Sequence, residues 1–185
     1  ATHGLSKTTL ATVADEAGLS QGVAVFYFKS KLGLLTEALR DLYQKYDTNW
    51  NEALDAAGPD PVDRLVALIA ADFSPEVCSP EILSIWFAFW AEQKITPQYG
   101  DITRDYSERR DNALREICTA LLPDAPDRAQ AIAEWVDMLT DGYWQNLYLL
   151  PKSHSAAESV RESLHFLAAL LPEYAQALKA AVPVR

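Results

Sequence analysis

Two sets of aromatic and acidic residues in this 185-residue chain stand at helical spacing. Trp86 and Trp90 are four apart, and Asp137, Asp141, Trp144 and Tyr148 follow at i, i+4, i+7 and i+11. On an α-helix such positions share one face. If the two faces meet, they form a box of π surfaces beside one or two carboxylates. A quaternary ammonium suits such a box, because its diffuse positive charge is drawn to each aromatic face by roughly 0.5–2 kcal/mol. Tyr99 and Tyr106 are candidate further walls or hydroxyl donors. The same stripes would also build an ordinary helical core, with Asp141 pairing to Arg109 or Arg110 or capping a neighbouring helix.

Other reactive patterns are weaker. Glu162 and His165 form a Glu-x-x-His at i, i+3, as in carboxylate-bridged di-metal bundles, but the second copy and two further glutamates that such a site needs are not found. Ser153-His154 belongs to no nucleophile elbow or triad motif, and no glycine-rich phosphate loop exists. Cys78 and Cys118 lack the close spacing of zinc ligands or redox pairs and read as small apolar residues in a reducing compartment. The expectation is therefore no enzyme, no metal and no cofactor.

The chain carries 26 acidic and 16 basic side chains, a net charge of −10, with 49% apolar residues, 10 Pro and 7 Gly. This excludes a disordered segment, a disulfide scaffold and a nucleic-acid coat. The charge is uneven: residues 1–46 hold five basic and four acidic groups, +1, whereas residues 47–185 hold eleven and 22, −11. A near-neutral head can approach a polyanion if its cations share a face, while an acidic body repels phosphate and tolerates cations. No stretch reaches the roughly 18 apolar residues of a membrane span, so no membrane partner is expected and the cytoplasm is the default. The opening Ala1-Thr2-His3-Gly4 has no initiator Met and no signal-peptide pattern, which points to missing upstream residues.

Helical periodicity runs through the chain and no period-two strand stands out, so the fold class is all-α. Leu10, Val13, Ala14 and Ala17 draw one apolar stripe, which Thr8 or Thr9 can cap and Gly18 can end. Ser20 then caps a helix over 21–28, and Ser30 caps a long one with Leu35, Leu39, Leu42 and Tyr46 on one face. Gly58, Pro59 and Pro61 break that helix. Five more helices are predicted, over residues 61–73, 80–94, 98–122, 126–150 and 156–170, with prolines marking their ends.

A helix, a short glycine-containing turn and a second helix form a helix-turn-helix, whose second helix lies in the major groove of duplex DNA. Spacing alone would equally fit any helical hairpin. The run Thr8-Thr9-Leu10-Ala11-Thr12-Val13-Ala14-Asp15-Glu16-Ala17-Gly18-Leu19-Ser20-Gln21-Gly22, followed by Phe26-Tyr27-Phe28-Lys29-Ser30-Lys31 and Gly33-Leu34-Leu35, resembles the DNA-binding domain of the TetR family of repressors. Residues 20–35 are most similar to its BetI branch, which responds to choline. In the body, Trp86 with Ala88-Phe89-Trp90-Ala91, and then Leu139-Thr140-Asp141-Gly142-Tyr143-Trp144, also resemble that branch in the same order, which brings Phe89 into the ligand set.

The resemblance implies a homodimeric regulator with a DNA-binding head over 1–46 and a ligand-binding and dimerisation body over 47–185, the head's first helix surviving only as a tail at residues 1–3. Thr9 and Ser20 become phosphate-facing caps, and Gln21, Gly22, Val23 and Ala24 stand at the front of the recognition helix. Gln21 suits adenine and Val23 a thymine methyl. Tyr27 and Lys31 become phosphate contacts, while Phe26 and Phe28 read as core aromatics. The partners implied are a double-stranded palindromic operator and a small effector, choline or another cation. A bulky hydrophobic drug or acyl compound is the alternative effector. Dimerisation falls to the last two long helices, whose apolar faces carry Ile132, Val136, Leu139, Tyr143 and Leu147, and Val160, Leu164, Leu167 and Leu171.

Overall fold

A computed structural model describes residues 4–182. The head comprises α1 (Gly4–Lys7), α2 (Leu10–Glu16) and α3 (Gln21–Phe28). Thr9 caps α2 through a reciprocal pair: its Oγ1 accepts from the Thr12 amide at 3.1 Å, and Thr12 Oγ1 accepts from the Thr9 amide at 2.9 Å. The turn into α3 needs Gly18 at φ +66°, a left-handed conformation that costs glycine nothing. Ser20 then caps α3 by accepting from the Val23 amide. Ala14, Ala24 and Leu34 are the buried residues of α2, α3 and the first turn of the next helix, while Leu35 joins the core of the body.

That helix, α4 (Lys31–Ala57), runs through residues 46 and 47, so head and body share it. Its first turn passes so close to the end of α3 that a Cβ on Gly33 would lie 2.1 Å from the Phe28 carbonyl oxygen. In the body, α5 (Pro61–Asp72) is capped by Asp60, whose Oδ1 accepts from the Val62 and Asp63 amides. There follow α6 (Pro75–Cys78), α7 (Pro80–Gln93), α8 (Pro97–Leu121), α9 (Pro126–Leu149), α10 (Ala156–Leu170), a 3-10 turn (Pro172–Tyr174) and α11 (Ala175–Ala180). Proline opens each of α5 to α9, where its missing N–H would have no helical partner anyway. The core centres on α5, whose Leu65, Leu68 and Ile69 are wholly buried among α4, α8 and α10.

The five predicted body helices are present with bounds within a residue or so, and no strand occurs among the described residues. Helices α1, α6 and α11 and the 3-10 turn were not predicted, being too short for a periodic signal. The first-helix tail assigned to residues 1–3 lies outside the described residues. The expected dimer-face residues need correction. Ile132, Val136, Val160, Leu164, Leu167 and Leu171 are buried inside one chain, because α9 and α10 turn these stripes towards the protein's own interior. Trp135, Met138, Tyr148 and Leu149 on α9 and Phe166 on α10 are among the large apolar side chains that face outward.

Gly33→Ala places a methyl against backbone that cannot yield cheaply. It is expected to destabilise the protein by about 1–3 kcal/mol in urea denaturation and to weaken DNA retention by displacing α3 from α4.

Candidate functional site

The outward surface of the head is the first candidate. Gln21, Gly22, Val23 and Tyr27 are exposed along α3, flanked by the exposed caps Thr9 and Ser20. Ala24 is 4% exposed and belongs to the head's interior, so its methyl does not reach outward: it lies on the inner side of a helix whose neighbours face out. Phe26 is 68% exposed, not a core residue; its ring meets Tyr27 edge-on at 5.4 Å, and the Lys29 ammonium lies over it at 4.7 Å. Lys31 donates from Nζ to the Ser6 carbonyl at 2.7 Å in an exposed hydrogen bond, which ties α1 to the start of α4.

The second candidate is a cavity of about 390 Å³ enclosed by α4, α5, α7, α8 and α9. Trp86, Trp90 and Trp144 line one side, with ring centroids 5.8 to 6.1 Å apart. Tyr43 and Tyr46 from α4 complete the aromatic wall, Tyr43 meeting Trp86 edge-on at 4.6 Å and Tyr46 meeting Trp144 at 5.8 Å. The same lining carries Asp72, Asp111, Asp137 and Asp141 with a single base, Arg110. Two buried polar atoms on lining residues, Trp86 Nε1 and Gln93 Oε1, have no hydrogen-bond partner.

Arg110 is almost wholly buried. Its Nη2 meets Asp72 Oδ2 at 2.5 Å, its Nε donates to Asp72 Oδ1 at 3.3 Å, and its Nη1 meets Asp137 Oδ1 at 2.6 Å. Burial works against the guanidinium charge, but Asp72, Tyr46 and Asp137 outweigh it, and the pKa rises further above its already high value. Tyr46 donates its hydroxyl to Asp72 Oδ1 at 2.7 Å, and Trp144 Nε1 donates to the Asp72 carbonyl at 2.8 Å. Burial holds the Tyr46 hydroxyl protonated well beyond the usual phenol range. Asp141 has no ion pair among the described residues. Solvent reaches it from one side, while protein closes round its carboxyl from the other; that burial, reinforced by Asp137 one turn away, pushes its pKa up to about 6.

The cavity thus brings together Trp86, Trp90, Asp137, Asp141 and Trp144 from the expected ligand set. Four others stand elsewhere. Phe89 lies about 100° round α7 from Trp90 and packs edge-on against Tyr99 at 5.2 Å, both inside the core. Tyr106 stacks on Tyr43 at 5.2 Å, behind the wall, with the Arg109 guanidinium over its other side. Tyr148 is a turn beyond the cavity on α9 and stacks on Phe87 at 4.5 Å. Tyr43, Tyr46 and Asp72 were not among the expected ligand residues. In the sequence Tyr46 stands only on the apolar face of α4, and Asp72, a charge at the end of a largely apolar helix, is the one signal that could point to a buried polar site. Among the described residues no cluster of three or more His, Cys, Asp or Glu side chains is placed to hold a metal. Glu162 and His165 lie 3.9 Å apart, about half exposed on α10. Among the described residues no helix is long and apolar enough to cross a membrane.

A helix-turn-helix head joined by a shared helix to an all-α body defines a DNA-binding transcriptional regulator. Residues 1–38 match the family of bacterial regulatory proteins named for TetR, and residues 61–172 match the C-terminal domain of BetI-type transcriptional repressors. This chain belongs to the BetI-type branch of the TetR family, whose members are transcriptional regulators and not enzymes. It is 33% identical over 141 residues to the HTH-type transcriptional regulator BetI of Paraburkholderia xenovorans, covering 76% of this chain and 71% of that one. The protein of the same name from Stenotrophomonas maltophilia is 29% identical over 158 residues, 85% of this chain and 80% of the relative. The fold is shared with a transcriptional regulator from Pseudomonas aeruginosa PAO1, at TM-score 0.82 and 22% identity over 96% of this chain and 86% of that one. A regulator from Rhodococcus sp. Rha1 gives TM-score 0.74 at 21% identity over 99% and 91%.

Arg110→Met leaves Asp72 charged, buried and unpaired, and is expected to cost about 3–5 kcal/mol in urea denaturation. For Asp141 the folded pKa lies above the unfolded one, so the native state binds the extra proton between about pH 4 and 6 and this carboxyl's contribution to stability falls as pH rises through that window. Asp141→Asn is therefore expected to raise the melting temperature at pH 7.5, with the difference from wild type vanishing below pH 4.

Proposed function

We propose that this protein is a cytoplasmic repressor that binds a palindromic operator as a homodimer and changes its DNA affinity when an organic cation, choline or another quaternary ammonium, enters the body cavity. The observation that supports the effector reading is a cavity lined by three tryptophans, two tyrosines and Asp141, a carboxylate that forms no ion pair among the described residues. Aromatic faces attract a diffuse cation, and the carboxylates leave the cavity with excess negative charge for it to neutralise. A neutral hydrophobic drug or acyl chain would gain the aromatic contacts but would strip water from the carboxylates without compensation.

On the DNA side, Gln21 and Val23 at the exposed start of α3 supply base contacts, and Thr9, Ser20 and Tyr27 supply phosphate contacts. Pairing through α9 and α10, with Trp135, Met138 and Phe166 outward, would set two heads about 34 Å apart on successive major-groove faces. Tyr43 and Tyr46 belong both to the cavity wall and to α4, the helix that carries the head. A cation there alters head spacing only in so far as it binds one spacing more tightly than the other.

The test compares choline with its neutral isostere 3,3-dimethylbutanol in thermal denaturation. Choline is expected to raise the melting temperature and the neutral isostere, at equal concentration, to leave it nearly unchanged; an equal response to both would favour a hydrophobic effector. In mobility shifts on DNA flanking the protein's own gene, choline is expected to change the retained fraction. Gln21→Ala is expected to weaken operator binding by about 1–3 kcal/mol while sparing binding to unrelated DNA.

A further inference from the structure

Asp72, the last residue of α5 and 1% exposed, receives hydrogen bonds from three other helices. Arg110 reaches it from α8, Trp144 from α9 and Tyr46 from α4. All three donors also line the cavity. Asp137 differs from Asp72 in its surroundings: it shares the same guanidinium, yet nearly half of its side chain is open to solvent. A cation entering the cavity therefore meets Asp137 and not the sealed Asp72. Whatever share of Asp137 the newcomer takes is lost to Arg110, which must then lean more heavily on Asp72. Oδ1 of Asp72 serves both Arg110 Nε and the Tyr46 hydroxyl, so any change in the first bond is felt in the second.

From this geometry we infer that the Tyr46 hydroxyl, through its bond to Asp72, is the link by which cavity occupancy reaches α4 and the DNA-binding head. Tyr46 is in this sense a positioning residue. The inference rests on the cavity being the effector site, but it concerns coupling and not occupancy. A built-in comparison exists one turn along α4. Asn49 Nδ2 donates to the Ala71 carbonyl at 2.9 Å, and Ser74 Oγ donates to Asn49 Oδ1 at 3.0 Å. This second tie joins the same two helices without touching the cavity lining or the Asp72 carboxylate. If mere attachment of α4 to α5 governed the response, the two ties would be equivalent; if the Asp72 network transmits it, they are not.

The experiment measures operator affinity of the full chain with and without saturating choline, and choline affinity separately by calorimetry. It uses wild type, Tyr46→Phe and Asn49→Ala. Wild type is expected to change its operator affinity at least fivefold on adding choline, within the usual range of coupling between two sites. Tyr46→Phe is expected to bind choline yet shift operator affinity less than twofold, and Asn49→Ala to keep the wild-type ratio whatever its melting temperature. A wild-type ratio in Tyr46→Phe overturns the inference, as does an equal loss in both variants. Hydrogen exchange on wild type gives a readout without substitution: choline is expected to change protection of the amides at 43–50, and no change there overturns the link. Calorimetry showing no choline binding to wild type would instead bring down the effector reading, and this inference with it.

Discussion

The constraint on which the body depends is the cost of holding the Arg110 charge out of water. A guanidinium sealed among helices is tolerable only with carboxylates at hydrogen-bond distance, and here these come from α5 and α9 at once. Meeting that geometry fixes how α5, α8 and α9 sit relative to one another, and the Tyr46 hydroxyl brings α4 into the same register. Apolar burial of Leu65, Leu68 and Ile69 drives the helices together but is indifferent to small slides between them. The charged cluster is directional, so it selects one arrangement. The aromatic wall of the cavity is a consequence of that arrangement, since Trp144 is held in place by its own bond to Asp72.

The electrostatics of the cavity follow from the same count. One base faces four acids. Asp72 and Asp137 absorb the guanidinium, and the surplus charge falls on Asp111 and Asp141, both of whose pKa values rise with burial first among the causes. The protein's own response to the surplus is to hold on to protons. An arriving organic cation would answer the same imbalance by another route.

How much of this was legible beforehand depended on the range of the interaction. Caps and turns act over three or four residues, so Thr9, Gly18, Ser20 and Ser30 marked the head's elements directly, and prolines marked the boundaries of α5, α7, α8 and α9. Periodicity likewise put Trp86 with Trp90, and Asp141 with Trp144, on common faces. It does not say which face turns to which neighbour. Phe89, Tyr99, Tyr106 and Tyr148 have the right chemistry and the wrong bearing, and the bond from Tyr46 to Asp72 spans 26 residues, beyond any local pattern. Six of the nine dimer-face residues failed for the same reason: an apolar stripe asks only to be covered, and these positions of α9 and α10 are covered by their own chain, while Leu139, Tyr143 and Leu147 are half-buried. Phe26 inverted its expectation because the head is too thin to enclose an aromatic on both flanks of α3.

The length of α4 turns the small adjustments at its middle into something larger. About fifteen residues separate Tyr46 from the helix's first residue, roughly 22 Å at the α-helical rise. A swing of only about 5° around that midpoint would carry the far end through an arc of about 2 Å. Two such rods in a symmetric pair would double the mismatch with a groove repeat of about 34 Å, whereas a base-edge hydrogen bond is lost within a few tenths of an ångström. In the proposed pair the unbroken rod would act as a mechanical amplifier, turning a small rotation near Tyr46 into a larger displacement at each tip.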